Sequence, residues 1–124
     1  MRFIGTKLHG YLDYIVAVLL IAAPWIFGFY QGGAESWVPV GMGLFTIVYS
    51  LLTDYELGIS HRLNMSTHLT LDVISGILLA LSPWLLNFAA DVWLPHLAVG
   101  ILEMGVASAT KIIAGTNAKS FANI

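Results

Sequence analysis

Four stretches of this chain run for 17–19 residues without a lysine or arginine, and that pattern constrains the fold more than any other feature. Tyr14–Tyr30, Trp37–Thr53 and Val73–Ala90 carry no charge, and Val92–Thr110 is interrupted only by His96 and Glu103. About 20 helical residues cross the ~30 Å hydrocarbon core of a bilayer, so each run sits near the lower end of a membrane span. In lipid only helices and closed barrels satisfy the backbone, and these runs lack the alternation of barrel strands. Composition agrees. Of the 124 residues, 58% are apolar and 10% charged, whereas an ordinary soluble domain is roughly 25% charged. The expectation is one integral membrane domain over residues 1–124, an all-α bundle of four transmembrane helices, with the first and third opening near Thr6 and Thr67.

The charges give the bundle an orientation. Arg2 and Lys7 precede the first span, Arg62 lies between the second and third, and Lys111 and Lys119 follow the fourth. All five basic residues therefore share one side, which predicts cytoplasmic termini and a cytoplasmic Asp54–Thr67 loop, as in a prokaryotic inner membrane. Trp25, Phe29, Tyr30, Trp37, Trp84, Phe88 and Trp93 gather at the opposite edge as an interfacial belt. Within the first run, Pro24-Trp25 stands where a signal peptide would carry a small-residue cleavage site. Five Lys and Arg against seven Asp and Glu exclude a basic nucleic-acid footprint, and the absence of Cys excludes thiolate chemistry and disulfides. The end of the chain, 114–124, reads as a flexible cytoplasmic tail.

The chain also contains a repeat. His9-Gly-Tyr-Leu-Asp13 opens a segment closing on Ala23-Pro24-Trp25, and 59 residues on His68-Leu-Thr-Leu-Asp72 opens one closing on Ser82-Pro83-Trp84. The repeats are placed at 6–54 and 65–113. Two spans separate equivalent positions, so both copies insert the same way up, as parallel two-helix repeats. The Ser82-Pro83-Trp84 motif, its variant Ala23-Pro24-Trp25, and Asp13 and Asp72 upstream resemble the SPW-repeat membrane proteins. That resemblance implies a pair of transmembrane helices per repeat, with the motif in the first of each pair, and no particular activity. The first copy departs from the pattern by carrying Ala23 in place of Ser.

Pro24 and Pro83 each remove a backbone hydrogen bond near a helix end and crowd the carbonyl four residues back, so bends are expected near Leu20 and Leu79. Ser82 is placed to bond a freed carbonyl, and the Trp rings to anchor at the headgroups.

Helical spacing sorts the polar residues into stripes: His9, Asp13 and Ala17; Met42, Thr46, Tyr49 and Thr53; His68, Asp72 and Gly76; His96, Gly100, Glu103, Ala107 and Thr110. Such faces turn inward in lipid and form a thin polar seam. His9 and His68 should lie at one depth with Asp13 and Asp72 a turn deeper, a set read first as structural pairing. Its alternatives are an ion pathway or a metal or haem site. Glu103, near mid-membrane, is expected protonated and bonded to Thr46, Ser75 or a carbonyl, with pairing to His96 or a partner subunit as alternatives. His61 reads as a solvated loop residue.

No phosphate loop, nucleophile elbow or sequence-local metal motif is present, so neither an enzyme nor a cofactor protein is expected. The primary reading is a packing or assembly module, a homo-oligomer or a subunit of a membrane complex. The rivals are a small proton- or ion-conducting protein using the seam, and a haem- or metal-binding redox subunit.

Overall fold

The computed structural model describes residues 2–112, so the tail placed at 114–124 lies outside the described residues. Four helices follow in chain order: α1 (Thr6–Ile26), α2 (Ala34–Leu51), α3 (Met65–Leu85) and α4 (Leu94–Ala109). Among the described residues there is no strand, only two isolated parallel bridges, Ile4 with Thr110 and Thr53 with Leu63. The arrangement is the four-helix bundle expected from the four apolar runs. α1 packs along α2 and α3 along α4, and α2 against α3 supplies the main contact between these two hairpins.

Its hydropathy is inverted relative to a soluble domain. Leu8, Tyr11, Ile15 and Val18 on α1, Leu44 and Val48 on α2, and Ile101 and Leu102 on α4 all face outward. The interior holds His9, Asp13, Thr46, His68, Asp72, Ser75 and His96 beside apolar residues such as Leu20, Leu69 and Leu79. Such a surface is stable against hydrocarbon and costly against water. α1 and α3 are each long and apolar enough to cross a membrane, and α4 is a shorter apolar helix. At 21 residues, α1 and α3 extend about 31 Å, the thickness of the hydrocarbon core.

The helix ends differ from expectation, for local reasons. α3 opens two residues before Thr67, because the Asn64 side chain accepts the Thr67 N–H at 2.7 Å. Gly5 precedes α1 without a side-chain cap, and the Thr6 hydroxyl turns to Glu56 instead, at 2.7 Å. α1 and α3 stop at Ile26 and Leu85, short of the apolar runs that extend to Tyr30 and Ala90. Past Pro24 the chain curls back: Phe29 and Tyr30 donate to the Pro24 carbonyl. Phe88 and Ala89 donate to that of Pro83 in the same way. Each curl needs a left-handed residue, Gly28 (φ 70°) and, 59 positions on, Asn87 (φ 61°).

Two close approaches hold the hairpins. A Cβ on Gly43 would lie 2.5 Å from the Ala17 carbonyl oxygen, and one on Gly100 the same distance from that of Gly76. Only bare backbone fits at either crossing. The connection 52–64 folds back under the bundle: Tyr14 donates to the Leu57 carbonyl at 2.8 Å, and Leu57 packs on Gly10. At the other edge of this end, Arg2 donates to the Ala107 and Thr110 carbonyls at 3.0 and 2.7 Å, tying the N-terminal segment to the end of α4.

Candidate functional site

A step of four residues is slightly more than one helical turn, so His9 and Asp13 share a face of α1, and His68 and Asp72 share the equivalent face of α3. The two faces meet inside the bundle. His9 Nε2 lies 2.8 Å from Asp72 Oδ2 and 2.9 Å from Asp13 Oδ1. His68 Nε2 lies 2.9 Å from Asp13 Oδ2 and 3.3 Å from Asp72 Oδ2. Each imidazole therefore reaches the carboxylate of its own helix and that of the other. The rings meet edge to face with centroids 5.4 Å apart. All four residues are buried, His68 completely. The His68 Nε2 contacts have ion-pair distances, but neither carboxylate oxygen lies in line for a hydrogen bond.

Two threonines set the ring protons. Thr110 Oγ1 donates to the Val106 carbonyl and Thr53 Oγ1 to that of Tyr49, each at 2.6 Å. A hydroxyl has one hydrogen to give, so each threonine oxygen accepts from the imidazole 2.7 Å away, His9 Nδ1 at Thr110 and His68 Nδ1 at Thr53. Both Nδ1 atoms thus carry hydrogen, and both Nε2 atoms are left for the carboxylates. Two further protons shared among the Nε2 atoms and carboxyls make the cluster electrically neutral, the count that a low-dielectric interior tolerates.

Two tyrosines complete the carboxylates. Tyr49 donates to Asp72 Oδ1, and Tyr55 donates to Asp13 Oδ2 at 3.0 Å. Burial and the Asp13 carboxylate push the Tyr55 hydroxyl up from its ordinary value, so it remains a donor.

Next to this cluster is a cavity of about 130 Å³, lined by His9, Asp13, Asp72, Thr46 and Glu103 with Leu12 and Val16. Glu103 differs from expectation: its Oε2 has no hydrogen-bond partner, neither Thr46 nor Ser75 nor a carbonyl. Nor does it pair with His96, whose Nε2 donates to the Glu35 carbonyl at 2.9 Å toward the other end of the bundle. There His96 is sandwiched between Phe29 and Phe88, at centroid distances of 5.2 and 4.9 Å, which are equivalent residues 59 positions apart. Thr46 is 4% exposed and, although Tyr49 is nearby, forms no hydrogen bond of ordinary geometry.

The repeat motif has a local explanation. Pro83 cannot donate to the Leu79 carbonyl, and Ser82 Oγ takes its place there at 2.7 Å. Ala23, beside Pro24, has no hydroxyl for the equivalent bond. Trp25 and Trp84 are half exposed at the end of the bundle, stacked on Tyr30 and tilted against Trp93 respectively. His61, in the connection, pairs with Asp54 at 2.9 Å and stays half exposed.

Sequence reasoning brings together His9, Asp13, His68 and Asp72, and places Tyr49, Thr53 and Thr110 on inward stripes without assigning them roles. It misses Tyr55, because nothing in a loop sequence shows that the loop returns beneath the bundle. The signal for the threonines is at the stripe ends: Thr53 and Thr110 stand just past the last residues of α2 and α4, each within reach of a histidine on another helix.

A family model described as SPW repeat domain matches residues 7–110. No curated protein and no solved structure is significantly similar to the chain.

Proposed function

This chain belongs to the SPW repeat domain family, and on that premise we propose that it is a non-enzymatic packing and assembly module of the membrane. In this reading an internal duplication supplied two helix hairpins, and the chain self-associates or accompanies a larger membrane complex. The observation that carries the reading is the closed His9–Asp13–His68–Asp72 cluster. Its imidazoles and carboxylates bridge α1 and α3 directly, and its threonine and tyrosine partners come from α2, α4 and the 52–64 connection. A network that ties together every element and leaves no net charge clasps two hairpins that otherwise meet mainly along α2 and α3. Within each hairpin, the Gly43–Ala17 and Gly76–Gly100 crossings bring the helices into backbone contact.

The outward faces support association. Gly41 on α2 and Gly105 on α4 have open space where a Cβ would sit, beside the exposed residues Trp37, Leu44, Ile101 and Leu102. Bare backbone on a lipid-facing helix is the surface on which a second helix approaches closely. The basic residues favour cytoplasmic termini in a prokaryotic inner membrane.

One observation favours a second reading, a proton- or ion-conducting protein: the unpartnered Glu103 carboxyl on a cavity against the cluster. Proteoliposome flux separates the two. The assembly module carries no proton flux above lipid background, and a conductor carries flux that Glu103→Gln abolishes. The haem alternative is disfavoured, because the His9 and His68 rings meet edge-on with no slot for a planar macrocycle.

A further inference from the structure

We propose that His9, Asp13, His68 and Asp72 form a binding site for one divalent transition-metal ion of the Zn²⁺ class, held by two imidazole nitrogens and two carboxylate oxygens. Each residue offers one ligand atom, and these atoms all lie within 4.8 Å of one another. A tetrahedral site with bonds of about 2.0–2.1 Å needs ligand atoms roughly 3.3 Å apart. The Nε2-to-carboxylate contacts, at 2.8, 2.9, 2.9 and 3.3 Å, are at or inside that spacing, and the four ligand atoms lie no more than 4.8 Å apart, so an ion is accommodated by side-chain rotations that spread the close pairs and draw in the wider ones. The ligands sit as two i, i+4 pairs on the helices α1 and α3, and each helix fixes the placement of its own His–Asp pair.

The surroundings are those of a ligand set held in advance. Metal-binding histidines characteristically donate their second ring N–H to a fixed acceptor, which orients the ring and sets the tautomer. Thr110 and Thr53 do this at Nδ1 of His9 and His68, leaving both Nε2 atoms facing the carboxylates. Tyr49 and Tyr55 hold the carboxylates by their remaining lone pairs. Charge fits as well. Two neutral imidazoles and two carboxylates carry −2, which a divalent ion cancels in the buried interior, whereas a monovalent ion leaves a net charge there. Nitrogen donors beside oxygen favour zinc, cobalt or nickel over magnesium or calcium.

Two independent observations point to an occupant. His68 Nε2, on a fully buried residue, sits among carboxylate oxygens without an in-line hydrogen bond. The cavity of about 130 Å³ that abuts the cluster is also lined by the unpartnered hydroxyl of Thr46, which is 4% exposed. The cavity provides the approach. The site stands independently of the assembly reading, since an isolated chain would hold the ion as well as an associated one.

The test uses the full chain in lipid nanodiscs, stripped with a chelator and titrated with Zn²⁺ by calorimetry. The expected result is one ion per chain, with protons released on binding as judged from buffers of different ionisation heat. Co²⁺ should give the visible bands of a tetrahedral ion, and Mg²⁺ should not compete. Zn²⁺ should raise the melting temperature of the unmodified chain reversibly, a readout that needs no variant. His68→Gln and Asp13→Asn should each lower affinity at least tenfold, while His96→Gln, outside the cluster, retains it. No saturable Zn²⁺ binding by the unmodified chain would overturn the proposal. So would binding that survives both cluster variants but is lost in His61→Ala, which would place the ion on the exposed His61–Asp54 pair.

Discussion

Three acidic residues on the inward faces of this bundle meet different fates, and the difference fixes what each substitution should do. Asp13 and Asp72 each face two imidazoles and one phenol. Replacing either by Asn leaves buried donors facing a weaker acceptor, a loss on the order of 1–3 kcal/mol. Because the two sites are equivalent, Asp13→Asn and Asp72→Asn should destabilise similarly, as measured by reversible unfolding in mixed micelles. A large inequality would mean that only one half keeps the role. Glu103 has no such partner at Oε2. Glu103→Gln should therefore cost less than either aspartate variant, because no hydrogen bond at Oε2 is lost. The four central residues were legible because a four-residue step, written twice 59 residues apart, leaves one geometry for both pairs. Tyr55 was not, since its place depends on a loop fold that no periodicity encodes. The intrachain bond expected of Glu103 is not formed at Oε2, because the bundle leaves a cavity beside it that the residue pattern does not reveal.

At the scale of the helices, the ends and crossings carry the information. Pro24 and Pro83 are readable as lying in the last turns of their helices, but not the curl that follows, which rests on Gly28 and Asn87 adopting positive φ. The cap of α3 went to Asn64 rather than Thr67 because a cap accepts from an N–H two or three residues further on. Asn64→Ala should cost about 1 kcal/mol, while Gly5→Ala at the uncapped start of α1 should cost less. Unfolding midpoints of the two variants check the ordering. The crossings are stricter. Gly100→Ala forces a Cβ to within 2.5 Å of the Gly76 carbonyl oxygen and to 2.6 Å of Ala80 Cβ, so the α3–α4 hairpin must part. Overpacking of this kind costs roughly 1–3 kcal/mol or more. Gly105→Ala, in open space on the same helix, should not destabilise the isolated chain and should stabilise it by roughly 0.5–1 kcal/mol, the penalty of glycine relative to alanine inside a helix.

For the whole molecule, the apolar exterior and polar interior make one argument: lipid outside, hydrogen bonds inside, and a clasp between two hairpins. Orientation is tested by cysteine labelling. Positions 33 and 91 should react with an impermeant reagent from outside, and position 62 should not; the reverse pattern would invert the molecule. On the proposed assembly reading, this bundle packs against others. Bare backbone at Gly41 and Gly105 and an exterior of exposed apolar side chains are features expected of a chain that does not stay alone. The most direct measurement is the native mass of the full chain released from lipid nanodiscs formed directly from its membrane. The account predicts masses above the 13.5 kDa of one chain, as multiples of it or as the chain with a companion subunit, and a shift toward the single chain in Gly105→Leu. A single chain at every loading, unchanged by that substitution, would contradict it.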